Sequence, residues 1–161
     1  MSAFRRRVRS EHFRSEQGAE LIEFALTLPL LLLLVLGIIE FGFLFQEYEV
    51  VTNASREGAR LAALMPSAGY STDDVKTRVS DYLTASGLKL AQASPAPTVV
   101  PAQLPIGATG KCIPAVTVTV NYQHPIPFLG GVYTYFGGTA AAIPLKSVAV
   151  MRSEAGSVTC P

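Results

Sequence analysis

Between Phe24 and Phe45 only Thr27 and Glu40 interrupt an apolar run, F-A-L-T-L-P-L-L-L-L-L-V-L-G-I-I-E-F-G-F-L-F. As a helix rising about 1.5 Å per residue, these roughly 22 residues reach about 33 Å, enough to cross a hydrocarbon core. The pattern then changes without a break. Val50, Val51, Ala54, Gly58, Leu61, Ala62 and Met65 recur at steps of three and four, while Asn53, Arg56, Glu57 and Arg60 fall elsewhere. This spacing predicts that the same helix continues as an amphipathic rod and ends at Met65, because a residue before proline disfavours helix. A second helix is predicted from Ser71 or Thr72 as N-cap, with Asp73 and Asp74 in its first turn. Val75, Val79, Tyr82 and Leu83 make its apolar face, and Gly87 stops it.

Past it the period falls to two. Ala, Pro, Thr and Gly dominate from Ala91 to Gly110, a predicted loop with a short strand at Thr98 to Pro101. Val116, Val118, Val120 and Tyr122 alternate with Thr117, Thr119 and Asn121, the signature of a half-buried strand. A further strand is predicted from about Ile143 to Arg152, and its apolar order slips between Leu145 and Val148. That slip predicts a bulge near Lys146 and Ser147. The turn-rich stretch between these strands holds Phe128, Tyr133, Tyr135 and Phe136, which either meet another subunit or cover the sheet's own apolar edge. The sum is an α+β fold: a long N-terminal helix, half transmembrane and half amphipathic, packed on a small antiparallel sheet.

Charge gives this plan a direction. The net charge is only +1, but Arg5, Arg6, Arg7, Arg9 and Arg14 all precede the apolar run, and the first charges after it are Glu47 and Glu49. The asymmetry places the N-terminus in the cytoplasm and the C-terminal part across the membrane. It divides the chain into a basic leader (1–18), a transmembrane helix (19–45), an amphipathic extension (46–66) and an extracytoplasmic α+β domain (67–161). The arginine cluster abuts the span and is short, so it is read as a topology signal, with no nucleic acid as partner. The leader lacks an apolar stretch of its own and no A-x-A site follows the span, so far-side cleavage is not expected and the span is retained.

Single residues then stand out. Glu23 sits where the apolar run begins, and an ionisable group there is a functional candidate by default. Pro29 cannot donate its N–H and is expected to kink the helix. Glu40 is expected near headgroups rather than buried, because little apolar run remains before Phe45. Cys112 and Cys160 both fall in the translocated part; they either form one disulfide, closing a loop of about 49 residues, or stay as two buried thiols. No catalytic machinery is legible: His124 is the sole histidine after the leader, and no paired carboxylates, phosphate loop or metal-spaced cluster follows the span. No enzyme activity, cofactor or metal is expected.

The residues around Glu23 carry a resemblance. Gly18, then Ala19-Glu20-Leu21-Ile22-Glu23-Phe24, resembles the type IV prepilin processing site, which a membrane-embedded aspartyl peptidase cuts after the glycine. E-F-A-L-T-L-P-L-L-L, G-I-I-E-F-G and T-N-A-S-R-E-G-A-R-L-A-A-L together resemble TadE-like proteins, minor pilins or pseudopilins of tight adherence pili, over roughly residues 15 to 65. Where a general prepilin has phenylalanine after the cut, this chain has Ala19. The resemblance implies a processing site at Gly18 and Ala19, and an assembly and register role for Glu23 and Phe24. The implied partners are a prepilin peptidase, other minor or major pilins, the pilus platform and the lipid bilayer of a bacterial inner membrane. A new Ala19 amine, mostly cationic at neutral pH, would meet a neighbour's Glu23. The alternative is an uncleaved, membrane-anchored periplasmic scaffold; more distant is an extracytoplasmic ligand-binding module.

Overall fold

A 61-residue helix, α1 (Ala3–Ala63), is the axis of the structure, a computed structural model that describes residues 3–107, 111–139, 142–154 and 158–159. It passes through Pro29 without ending and breaks at Leu64. A short helix, α2 (Met65–Ala68), follows, closed by Gly69 in the left-handed conformation at φ 71°. Pro66 lies in the first turn of α2, where no intrahelical partner is lost. α1 therefore ends two residues before Met65, and the proline starts a new turn rather than ending the old one. Glu154 N donates to the Ala63 carbonyl at 3.3 Å and ties that end down.

Helix α3 (Thr72–Ala85) begins as its sequence predicts. Ser71 is the N-cap, and Asp74 closes a reciprocal capping box with it. Gly87, at φ 85°, reverses the chain, and Leu88 N reaches back to the Leu83 carbonyl at 2.9 Å. Val75, Val79 and Leu83 are buried against α1.

After a 3₁₀ turn at Leu90–Gln92, strands β1 (Thr98–Pro105), β2 (Lys111–His124) and β3 (Ile143–Arg152) form an antiparallel sheet in the order β1-β2-β3. A two-residue strand, β4 (Val158–Thr159), pairs with the start of β2. β1 runs four residues beyond the predicted Pro101; as an edge strand it tolerates both Pro101 and Pro105. Between β2 and β3 lies a seven-residue helix, α4 (Leu129–Tyr135), where a loop is predicted.

β2 and β3 pair one to one from Ala115↔Arg152 to His124↔Ile143, so no bulge interrupts them and that expectation is corrected. The apparent slip has a packing cause. Leu145, Ser147 and Ala149 turn toward α1, while Val148 and Val150 stand on the outer face. Small residues are needed where helix and edge strand come close, and Ser55 Oγ lies 2.9 Å from Ser147 Oγ across that contact. The core between the layers is Val51, Ala54, Ala59 and Ala62 of α1, the α3 valines, and Val116, Val118, Val120 and Tyr122 of β2. Gly58 marks the closest approach: a Cβ there would meet Val79 Cγ2 at 2.5 Å and Val118 Cγ1 at 3.2 Å.

Candidate functional site

The residues singled out at the membrane end all lie on α1. Ala19, Glu23 and Phe24 are exposed and Gly18 is half-exposed, with nothing within 4 Å of a Cβ built on the glycine. Leu21, Ile22, Leu26, Leu30 and Leu34 are exposed beside them, so this half of the helix touches no other part of the described chain. Among the described residues Glu23 has no ion-pair or hydrogen-bond partner. Thr27 Oγ1, two residues before Pro29, donates to the Phe24 carbonyl at 3.2 Å and places its hydroxyl back on the helix.

The far end of the same apolar run is built differently. Glu40 is 5 % exposed, which corrects the expectation that it is not buried. Its Oε2 accepts the Phe128 backbone N–H at 3.1 Å, and its Oε1 lies 3.4 Å from His124 Nε2. The other imidazole nitrogen, Nδ1, is 2.7 Å from Glu47 Oε2. His124, 1 % exposed, thus stands between two carboxylates seven residues apart, two turns along one face of α1. The contact on the Glu40 side has ion-pair distance without hydrogen-bond geometry. A protonated ring would satisfy both acids by charge, while removing the ring would leave two carboxylates facing a closed interior. The node is a tether that fixes α1 to the end of β2 and to the turn entering α4. Among the described residues no set of three His, Cys, Asp or Glu is arranged to hold a metal.

This node is what sequence reasoning missed. The signal available was Glu40 itself, an acid inside an apolar run that needs a partner, with His124 the sole histidine after the leader to supply one.

Further along α1, Glu57 accepts from Arg60 at 3.0 Å on the same helix and from Arg78 of α3 at 3.0 Å. The Arg60 hydrogen bond, helped by Arg78 and opposed by partial burial, lowers the Glu57 carboxyl from 4.5 to about 2. Asp74 is also lowered, by its hydrogen bonds from the Ser71 hydroxyl and backbone. Burial raises the Tyr122 phenol, and the Glu47 charge adds to the effect; the Tyr122 hydroxyl donates to Gln92.

The loop aromatics do not cover the sheet. Phe128 stacks on Phe43 of α1 with centroids 6.2 Å apart. The Tyr133 ring leans on Gly138, where a Cβ would come within 2.3 Å of it. Tyr135 and Phe136 form an edge-to-face pair and are 85 % and 79 % exposed. Cys112 is buried at the start of β2, opposite Val158. Cys160 lies outside the described residues.

Comparison with known proteins gives one match. Residues 18–60, from the proposed cut to the amphipathic half of α1, match the model of the family described as TadE-like protein. No curated protein and no solved structure matches the chain. The matched segment contains Glu23, Pro29, Glu40, Glu47 and Gly58, so both acids of the tether and the close-packed glycine fall within it. Over residues 18–60, about a quarter of its length, the chain is similar to the TadE-like family.

Proposed function

We propose that this protein is a membrane-anchored, pilin-like component of a Tad-type pilus, a minor pilin or pseudopilin that takes part in initiating or assembling the adhesive fibre. The observation that carries the reading is the uncovered inner part of α1. Its leucines and Phe24 are exposed from Leu21 to Leu34, and Glu23 has no partner among the described residues. Apolar side chains in that number demand lipid or sister helices. With the arginine-rich leader in the cytoplasm, the sheet domain lies outside the inner membrane.

In this reading a prepilin peptidase cuts between Gly18 and Ala19. The freed Ala19 amine then pairs with the Glu23 carboxylate of a neighbouring chain, because either charge alone in apolar surroundings is costly. The protein is an assembly part and not a catalyst. Export also suits a single bridge between Cys112 and Cys160: Val158, the ladder partner of Cys112, precedes Cys160 by two residues in sequence. Glu23→Gln is expected to leave insertion intact and to remove incorporation into pili; normal piliation in that variant would refute the pairing.

A second reading has one observation in its favour. α1 is continuous across Gly18 and Ala19, and a peptide bond within a helix must unwind before a peptidase can reach it. An uncleaved anchor of a periplasmic scaffold would keep that continuity. Sequencing the N-terminus of the cellular protein separates the two, with Ala19 first in the pilin and the full leader present in the anchor.

A further inference from the structure

We propose that the segment around α4 is a second membrane-contacting element, an aromatic foot that rests in the outer interfacial layer of the same bilayer the helix crosses. The inference rests on the reading that the apolar half of α1 spans a membrane. Three observations carry it.

The first is depth. If the apolar run enters the hydrocarbon at about Leu21, the roughly 20 residues needed to cross it bring the far boundary to about Phe41. α4 is fastened at that level. The Phe128 N–H is bonded to Glu40 and its ring is stacked on Phe43, so the start of α4 lies beside the outer end of the span.

The second is composition. From Pro125 to Leu145 the chain P-I-P-F-L-G-G-V-Y-T-Y-F-G-G-T-A-A-A-I-P-L holds no charged residue; Leu90 to Gly110 holds none either, but only the former stretch carries aromatic rings. Tyr133, Tyr135 and Phe136 are exposed there, and Phe41, Phe43 and Phe45 are exposed on α1 at the same level. Tyrosine, with an apolar ring and a polar hydroxyl, suits the headgroup boundary, and aromatic residues gather at such interfaces.

The third is concealment. An acid at the hydrocarbon boundary is costly when it faces lipid. Here Glu40 is turned inward, its carboxylate covered by His124 and by the amide that opens α4. What α4 leaves toward the surroundings at that level is uncharged and aromatic, as a lipid-facing surface requires.

The chain contains no tryptophan, so a single one reports its own position. The full-length protein is reconstituted in phosphatidylcholine vesicles brominated either near the ester group or near the acyl-chain end, as Tyr135→Trp, Phe136→Trp, Leu33→Trp or Tyr70→Trp. Tryptophans at 135 and 136 are expected to lose emission to the shallow bromines more than to the deep ones. Leu33→Trp should lose more to the deep set, and Tyr70→Trp, beyond the far end of α1, should lose little to either. If Leu33→Trp is quenched but 135 and 136 respond to neither lipid, the foot does not touch the membrane and the span reading survives. Protection of 135 and 136 from bromolipid and from aqueous iodide alike would mean that a protein surface covers them, which also overturns the proposal. If Leu33→Trp itself is not quenched, the span reading fails and takes this inference with it.

Discussion

The two halves of α1 differ in how much of the helix is apolar: from Phe24 to Phe45 only Thr27 and Glu40 are clearly polar, while half of the residues from Gln46 to Ala63 are polar or charged. Beyond Phe45 the helix keeps its apolar residues on one stripe and covers them within its own chain: Val51, Ala54, Ala59 and Ala62 are fully buried under α3 and the sheet. Before Phe45 apolar residues occupy every side of the helix, and from Leu21 to Leu34 the leucines stay exposed. Residue size differs along with hydrophobicity. The outer half uses alanine, glycine and serine so that other elements come close; the inner half uses leucine and phenylalanine, which present area to the surroundings. The one half is satisfied internally and the other depends on what surrounds it.

The contrast breaks most severely at the tether, where the halves join. His124→Ala is expected to destabilise the folded domain by about 2–5 kcal/mol, because it empties a fully buried site and removes the neighbour of two acids. Chemical denaturation of the detergent-solubilised protein measures this, and Glu40→Gln in the same background should restore part of the loss. An unchanged midpoint in His124→Ala would show that the node contributes nothing to stability.

Next in size is Gly58→Ala. The added methyl would collide with Val79 and Val118, which are packed on all sides, at a cost of about 1–3 kcal/mol. Gly37→Ala, in the exposed half with nothing within 4 Å, should cost nothing and may be compared directly in the same melting experiment. Equal effects at the two glycines would erase the distinction between the halves.

The smallest effect sharpens the outer half alone. Glu57 joins α1 to α3 at the surface, so Glu57→Gln is expected to cost below about 1 kcal/mol near neutral pH. The folded carboxyl titrates at about 2, below its ordinary 4.5. A depressed acid contributes stability that is fully present above 4.5 and is lost as pH falls toward 2. The melting temperatures of wild type and Glu57→Gln should therefore converge over that window; a constant gap would remove the assignment.

Much of this was legible in the chain because it is local. The stripe through Val51, Ala54, Gly58 and Ala62, the Ser71 cap, the Gly87 stop and the alternation from Val116 to Tyr122 each follow from neighbours within a few residues. What escaped reading depends on distant pieces. Glu40 is buried because a histidine from the end of β2 and an amide from the turn before α4 reach it. The helix α4 contains Gly130 and Gly131, poor helix formers, yet Phe128 just before it is pinned to α1. Ser147 and Ala149 read as a break in a strand's pattern until the nearness of α1 explains why small residues belong there.

The uninterrupted course of α1 has a further consequence, for azimuth. At about 100° per residue, the 17 steps from Glu23 to Glu40 come to four full revolutions and roughly 260° more. Glu23 therefore points about 100° aside from the direction in which the helix carries its domain. On the proposed pairing, a sister chain drawn to that carboxylate would arrive alongside the globular head rather than behind it, at an angle that the rod and its Pro29 set.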